Sequence, residues 1–248
     1  MIPLRDDNPA QRVPFVTRAI IVANVIVFVY ELSLADGMNE LLRDWGVVPG
    51  RLFAALTGET SLPVELSTLV TSLFLHGGWL HLIGNMWYLW IFGDNVEDRM
   101  GPGRYLLFYF GAGIFAALFH SALQPGSPTP TVGASGAIAG VLGAYAYAYP
   151  RAKVLTLVPI FFFFQIIAIP AMIVLGIWFA FQIVAGAFSL GGATSGVAWW
   201  AHIAGFAFGF LAMMVMSRRS ASDDEPTFSN SASRCAVAPW SLTVTSSR

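Results

Sequence analysis

Long apolar runs, separated by short polar or charged segments, dominate this sequence. No Asp, Glu, Lys or Arg occurs between Tyr105 and Pro150, and none occurs between Val154 and Ser217. Uncharged apolar stretches of this length are typical of membrane-spanning helices, which need about 20 residues to cross a ~30 Å hydrocarbon core. The pattern predicts six spans, at about Phe15–Leu34, Ser72–Phe92, Tyr105–Leu123, Ser135–Tyr149, Ala171–Phe188 and Ala198–Met216.

The segments between and beyond these spans complete the predicted organisation. A six-helix membrane domain is expected over 15–216, after a cytoplasmic N-terminal segment at 1–14 and with 35–71 as an external loop. The segment 93–104 carries several charges and is expected to be a turn between two spans. The polar, Ser-rich segment 217–248 is expected to be a disordered cytoplasmic tail, because it has too few apolar residues to form a core.

The apolar run Val154–Phe188 is too long for one straight crossing. At 1.5 Å per residue, a continuous helix over this run would measure roughly 52 Å, against a core of about 30 Å. Pro159 and Pro170 interrupt the run, and proline breaks a helix interior. We therefore expect an irregular or interfacial segment at Val154–Ile169 and a single crossing at Ala171–Phe188.

Composition and charge narrow the class of protein further. Of the 248 residues, 56% are hydrophobic and only 11% are charged, whereas soluble domains carry about 25% charged residues. The net charge of −1 leaves no basic surface for nucleic acid, and the single Cys235 excludes a disulfide within the chain and a cysteine-based zinc site. The sequence thus predicts an all-α polytopic membrane protein, with the lipid bilayer as its surroundings.

The distribution of Lys and Arg predicts the orientation. If the N-terminus lies in the cytoplasm, only Arg43 and Arg51 of the 13 basic residues fall outside. Positive residues concentrate on the cytoplasmic side of membrane proteins. We expect both termini inside, in a multi-pass protein of a bacterial-type inner membrane.

Ser135 and His202 carry the candidate chemistry, because both lie in uncharged spans. At 1.5 Å per residue along each helix, Ser135, His202 and His81 lie about 22, 24 and 20 Å from the cytoplasmic ends of their spans. Three polar side chains on three helices thus share one layer, near the outer surface. Glycines at four-residue spacing on the fourth and sixth spans, among them Gly136 and Gly205, allow two helices to approach closely. The pattern predicts a serine nucleophile with a histidine base.

Each of these residues also has a structural interpretation. Serine in a membrane helix usually bonds a carbonyl one turn back, and a neutral histidine can bond a backbone carbonyl. His81 and Asn85 share one helical face and could donate to an oxyanion or only hold helices together. For His76, nearer the outer surface, a structural or water-holding role is expected. No carboxylate lies in the last three spans, so the prediction is a Ser-His dyad and not a triad.

The sequence lacks the catalytic groups that other classes of intramembrane hydrolase require. There is no His-Glu-x-x-His pattern for zinc, and Asp94 has no second aspartate at a matching depth. The four histidines have no cysteine or intramembrane carboxylate beside them to complete a metal site. The sequence therefore predicts a hydrolase without a metal site.

Three motifs in this order resemble the rhomboid family of intramembrane serine proteases. They are His76-x4-His81-x3-Asn85, Gly133-Ala134-Ser135-Gly136 and Ala201-His202-x2-Gly205-x3-Gly209. The resemblance implies that Ser135 is the nucleophile and His202 the base, with the Ser135 N–H, His81 and Asn85 as the oxyanion hole. It also implies that Gly133 shapes the loop before the nucleophile and that the enzyme uses no cofactor. The substrates would be single-pass membrane proteins, cut near the outer edge of their transmembrane helix.

The sequence departs from the family pattern at two places and leaves two alternatives open. Ala139 stands where family members often have an aromatic residue against the base, and the first loop lacks the Trp-Arg pair found in some members. The first alternative is a catalytically silent rhomboid-like protein that binds membrane helices, although such relatives usually lose the serine or histidine. The second is a small transporter, although no internal repeat is visible.

Overall fold

The computed structural model describes residues 1–34, 37–160, 163–190 and 197–223. Its helices are α1 Phe15–Ser33, α2 Met38–Trp45, α3 Pro49–Leu56, α4 Leu62–Thr71, α5 Trp79–Met100, α6 Pro102–Leu123, α7 Ser135–Ala148, α8 Ala171–Leu190 and α9 Trp199–Asp223. The strands β1 Ile2–Asp6, β2 Lys153–Ile160 and β3 Phe163–Pro170 form an antiparallel sheet in the order β1-β2-β3. The protein is therefore mostly helical, as predicted.

Several helices are suited to cross a membrane. Within the described residues, α1, α6, α8 and α9 are long and apolar enough to do so alone. A fifth span arises if α4, the 3-10 turn Ser72–Phe74 and α5 are taken together, with a bend of 79°. The helix α7 is apolar but has only 14 residues. The chain is thus a polytopic membrane protein, and the count of six crossings stays a prediction.

The short helix α7 lies at the centre of the bundle. Eleven of its 14 residues are buried, and it packs against α5, α6, α8 and α9. Its closest partner is α9, because a Cβ built on Gly205 would collide with the backbone oxygen of Gly136. The same holds for Gly209 against Gly140. The close approach expected from the glycine spacing is therefore confirmed.

The second predicted span and the turn after it have different limits in the structure. The expected span Ser72–Phe92 begins instead with the 3-10 turn, and the continuous helix starts at Trp79. The expected turn at 93–104 is wrong, because α5 continues to Met100 and breaks only at Gly101, where φ is +79°. That backbone region favours glycine, so the sequence breaks the helix at this single position.

The charged end of α5 has a structural reason to be helical. Glu97 is only 3% exposed, and its carboxylate accepts hydrogen bonds from the backbone N–H groups of Val16 and Thr17 at 2.9 and 2.8 Å. It also accepts the Thr17 hydroxyl at 2.7 Å. Because the first N–H groups of a helix lack partners within it, Glu97 caps α1 from a neighbouring helix.

The segment Val154–Ile169, expected to be irregular or interfacial, is a β-hairpin. Strands β2 and β3 pair from Lys153 with Pro170 to Ile160 with Phe163. An irregular conformation is wrong, because β-branched and aromatic residues favour paired strands, and the two prolines lie near strand ends, where they are tolerated. An interfacial position stays a prediction. The single crossing that follows, predicted at Ala171–Phe188, is the helix α8.

The N-terminal segment 1–14 contributes β1, which pairs with β2 so that Ile2 lies opposite Leu157. The sheet therefore gathers the segment before α1 and the segment after α7 at one end of the bundle. The expected external loop 35–71 contains α2, α3 and α4, apart from residues 35–36, which lie outside the described residues. Helix α9 extends past Met216 to Asp223 and so includes the first residues of the predicted disordered tail 217–248; residues 224–248 of that tail lie outside the described residues.

Candidate active site

Ser135 is the first residue of α7, after a loop that glycine makes possible. Gly133 has a φ of +118°, and its backbone N–H donates to the carbonyl oxygen of Ser72 at 2.8 Å. A Cβ on Gly133 would lie 2.6 Å from Nε2 of His81 and 3.6 Å from Nδ2 of Asn85. Position 133 therefore requires glycine for two reasons: its backbone has a positive φ, and a side chain there would collide with His81.

His202 lies in the first turn of α9 and meets Ser135 directly. Its Nε2 is 2.8 Å from Oγ of Ser135, a hydrogen bond between residues 67 positions apart in the chain. Both side chains project from the beginning of their helices, at the same end of the bundle. The structure thus brings together the two residues that the sequence singled out as nucleophile and base.

The other ring nitrogen of His202 has a partner that sequence reasoning missed. Nδ1 lies 2.7 Å from Oε1 of Gln182 on α8, and the Gln182 side chain is only 4% exposed. The last three spans contain no carboxylate, and Gln182 lies outside the three motifs that predict the site. The available signal was a lone amide within α8, since an isolated polar side chain in an apolar span marks a site.

Aromatic rings complete the surroundings of His202, although the position four residues after Ser135 is Ala139. The rings of Trp178 and Trp199 each have centroids 6.1 Å from that of His202. Trp178 lies one turn before Gln182 on α8, so one face of this helix contacts the imidazole twice. The orientation that an aromatic residue on α7 could provide therefore comes from α8 and α9.

His81 and Asn85 lie on α5 beside the loop that precedes Ser135. Nδ1 of His81 accepts the backbone N–H of Gly77 at 3.4 Å, which leaves Nε2 as the donor of a neutral ring. Asn85 is 8% exposed, and its buried Nδ2 has no hydrogen-bond partner among the described residues. The two predicted oxyanion donors thus lie on one helix face, and Nδ2 of Asn85 is unpaired within the described residues.

His76 supports His81 from the segment before α5. The His76 side chain is fully buried, and its ring packs edge-on against that of His81 with centroids 5.1 Å apart. Its backbone N–H donates to the Glu31 carboxylate on α1 at 3.1 Å. His76 also contacts the carbonyl of Phe74 at 3.2 Å through Nδ1. These contacts fit a structural role, and the sequence analysis did not anticipate the one from Glu31.

A cavity of about 990 Å³ opens onto these groups. Its lining includes Ser135, His202, His81 and Asn85, together with Trp178 and His120. His120 on α6, to which the sequence assigned no role, is 7% exposed. Within the residues that the structure describes, no three His, Cys, Asp or Glu side chains cluster as a metal site would require.

Comparison with known proteins places this arrangement in a family. The model of the Rhomboid domain matches residues 63–219, which is more than half of the chain. The chain is 38% identical to "Rhomboid protease GluP" of Bacillus subtilis over 123 residues, or 50% of this chain and 22% of that protein. It is 34% identical to "Rhomboid protein 1, mitochondrial" of Saccharomyces cerevisiae over 95 residues, or 37% of this chain and 28% of that protein.

A third relative is "RHOMBOID-like protein 6, mitochondrial" of Arabidopsis thaliana, 33% identical over 159 residues, or 52% of this chain and 50% of that protein. The chain thus spans half or less of the length of these relatives. The matched region begins within α4 and ends within α9, so it contains every residue of the candidate site except Glu31. On this match, the chain belongs to the rhomboid family.

Proposed function

We propose that this protein is an intramembrane serine endopeptidase in which Ser135 is the nucleophile and His202 is the general base. The observation that carries the proposal is the 2.8 Å contact between Nε2 of His202 and Oγ of Ser135. A nucleophile and its base within hydrogen-bond reach, with the base held by a third group, is the arrangement that activates serine. Nδ1 of His202 lies 2.7 Å from Oε1 of Gln182.

The proposed reaction has two halves. Oγ of Ser135 attacks the scissile carbonyl carbon while its proton passes to Nε2 of His202. The tetrahedral intermediate collapses, the C–N bond breaks, and the protonated His202 gives its proton to the leaving amine. Water then attacks the acyl-enzyme with His202 again as base, which releases the new carboxyl end and restores Ser135. The reaction requires no metal and no cofactor.

The negative charge on the substrate oxygen needs donors that already point at it. The backbone N–H of Ser135 lies in the first turn of α7, where N–H groups have no partner within the helix. His81 supplies Nε2–H, and Asn85 supplies an Nδ2 that is buried without a partner among the described residues. Since an unpaired buried donor costs about 1–3 kcal/mol, its retention favours a role in binding the oxyanion.

The proposed substrates are single-pass membrane proteins, cut within or near the outer part of their transmembrane helix. The support is the position of the site, in the first turns of α5, α7 and α9 and beside a cavity within an apolar bundle. A relative with 38% identity is named a protease. The proposed location is the inner membrane of a bacterial-type cell, with both termini in the cytoplasm.

Cleavage in proteoliposomes tests the proposed activity. The full chain is reconstituted with a single-pass helical substrate, and the Ser135→Ala variant is expected to release no product while it keeps the melting temperature of the wild type. Ser67→Ala is the matched control, since the Ser67 hydroxyl donates to the Val64 carbonyl of its own helix at 2.6 Å. Cleavage by Ser135→Ala at the wild-type rate would exclude Ser135 as the nucleophile.

Cysteine accessibility tests the proposed orientation. In a Cys235→Ser background, a membrane-impermeant thiol reagent is expected to label Ser61→Cys in intact cells. It should label Arg151→Cys, next to the sheet, only after permeabilisation. The opposite pattern would place the sheet outside and the active-site end of the bundle inside.

A further inference from the structure

The side chain of Gln182 has a role that the predicted dyad does not include. We infer that Gln182 is a positioning residue, whose amide oxygen accepts the Nδ1–H of His202 and thereby leaves Nε2 free to take the proton of Ser135. This inference rests on the proposed function, because it assigns the third member of the same site. It concerns a residue on α8, which none of the three sequence motifs includes.

The first argument is the geometry of the chain of hydrogen bonds. Oε1 of Gln182 lies 2.7 Å from Nδ1 of His202, and Nε2 of the same ring lies 2.8 Å from Oγ of Ser135. A neutral imidazole carries one proton, so the group at one nitrogen decides the role of the other. An acceptor at Nδ1 makes Nε2 the acceptor toward Ser135, as a base requires.

The second argument is the burial of the amide. Gln182 is 4% exposed on a helix whose neighbouring positions Phe181 and Ile183 are 59% and 46% exposed. A glutamine side chain loses hydrogen bonds with water when it is buried in an apolar bundle, and only a well-placed partner offsets that cost. The partner that the structure gives to its oxygen is His202. The buried Gln182 amide therefore stays at His202, because its oxygen has a hydrogen-bond partner there.

The third argument is the absence of an aromatic residue at Ala139. The buried Ala139 has no side chain that could reach over the imidazole, so α7 holds Ser135 but does not orient the base. Helix α8 provides two contacts to the imidazole, the Gln182 hydrogen bond and the Trp178 ring. A neutral amide also suits an apolar site, since a carboxylate there would carry a large desolvation cost.

Substitution of Gln182 by residues of similar length separates orientation from packing. Gln182→Met keeps the length of the side chain but removes the acceptor, and kcat for cleavage of the helical substrate should fall roughly 10- to 100-fold, the loss of one hydrogen bond to a group that becomes charged. KM should stay within about twofold, because a positioning residue contributes to the chemical step and not to substrate binding. Labelling of Ser135 by a fluorophosphonate should slow in parallel.

Two further variants make the result specific. Gln182→Glu keeps an acceptor oxygen in either protonation state and is expected to restore kcat to within about threefold of the wild type, a smaller change than that from the loss of the hydrogen bond. Leu175→Met is the matched control, because Leu175 is also buried on α8 at 1% exposure and should leave kcat unchanged. Restoration by Gln182→Glu would show that a carboxyl oxygen at this position can replace the amide oxygen.

The outcomes distinguish this inference from the proposed function. A wild-type kcat for Gln182→Met, or a loss in Gln182→Glu as large as in Gln182→Met, overturns the positioning role while wild-type cleavage stands. A lower melting temperature without a change in kcat also overturns it, because Gln182 would then only stabilise the bundle. If the wild type neither cleaves substrate nor reacts at Ser135, both proposals fail.

Discussion

Two asparagines on α5, one toward each end of the bundle, differ in whether their side-chain amides have hydrogen-bond partners. Asn85 and Asn95 are ten residues apart, or about 15 Å along the helix. Nδ2 of Asn85 has no partner among the described residues. Nδ2 of Asn95 donates to Asp6 at 2.9 Å and to Asp94 at 3.0 Å, and its Oδ1 accepts from Asn8 at 2.6 Å. One end leaves a donor unused, and the other pairs every polar atom of the amide.

The same contrast extends to the groups around each asparagine. Near Asn85, Nε2 of His76 and Nδ1 of His120 are also buried without partners among the described residues. The end near Asn95 holds carboxylates that are bonded, such as Glu97 at the start of α1. Unpaired buried polar atoms cost stability, so a protein retains them where a ligand or transition state uses them. The hydrogen bonds near Asn95 hold in place the helices that also carry the unpaired polar groups near Asn85.

The largest expected effect is on the base. His202→Ala should lower kcat by at least roughly 10⁴-fold, because Ser135 loses the acceptor for its proton. Its melting temperature should fall by about a few degrees, because the buried Gln182 oxygen loses its partner. Steady-state cleavage and a thermal melt of the same preparation measure both. A His202→Ala variant with more than a trace of activity would contradict the dyad.

The oxyanion donors come next, and the two asparagines provide the comparison. Asn85→Ala should lower kcat roughly 10²–10³-fold, or about 2.7–4 kcal/mol, with little change in KM, because the donor acts on charge that develops in the transition state. His81→Ala should be at least as severe.

Asn95→Ala is the matched control for Asn85→Ala, since it removes the same amide from the same helix at the paired end. It should lower the melting temperature and leave kcat near the wild-type value. Near-normal kcat in both Asn85→Ala and His81→Ala would make that pair structural and would remove the contrast between the two ends.

The apolar pattern predicted most of the helices and the Ser135–His202 pair, because both signals are local or depend on polar residues that are rare in a span. Its failure at Val154–Ile169 has a physical cause. A short apolar run fits a strand and a helix equally by periodicity, and the pairing of β1 with β2 joins segments about 150 residues apart. Gln182 was missed because a partner for His202 was sought among charged residues.

A smaller effect is expected where Glu97 caps α1. Glu97→Ala leaves the N–H groups of Val16 and Thr17 without their acceptor and should lower the free energy of unfolding by about 2–3 kcal/mol. Glu97→Gln keeps a carbonyl acceptor and should lose less. Denaturant unfolding measures the difference, and kcat at a temperature where both variants are folded should match the wild type. A loss of kcat without a loss of stability would show that this end contributes to the chemistry.

The smallest effect is a pH dependence at Asp6. Burial raises the pKa of Asp6 from 3.8 to about 6, the hydrogen bond from Tyr145 opposes this shift, and the nearby Asp94 carboxylate adds to it. Between these pH values the folded protein binds more protons than the unfolded chain, so the stability contributed by this group falls as the pH rises through the window. Asp6→Asn keeps an acceptor for the hydroxyl of Tyr145 and removes that dependence.

The melting temperature of Asp6→Asn should therefore exceed that of the wild type by roughly 1–2 °C above pH 6. The melting temperatures of the two proteins should become equal as the pH approaches 4. A melting temperature of Asp6→Asn that exceeds the wild type by more at low pH than at high pH would contradict the raised pKa of Asp6. Any change in kcat would contradict the separation of the two ends.

The most direct test of the central claim is the reaction of the full-length protein with a fluorophosphonate. Attack by Oγ of Ser135 on phosphorus expels fluoride and leaves a covalent adduct, and this requires a base in contact with the serine. The account predicts one adduct, located at Ser135 by peptide mass spectrometry, that is absent in Ser135→Ala and strongly reduced in His202→Ala. An adduct at another serine, or equal labelling of Ser135 in His202→Ala, would contradict the claim that His202 activates Ser135.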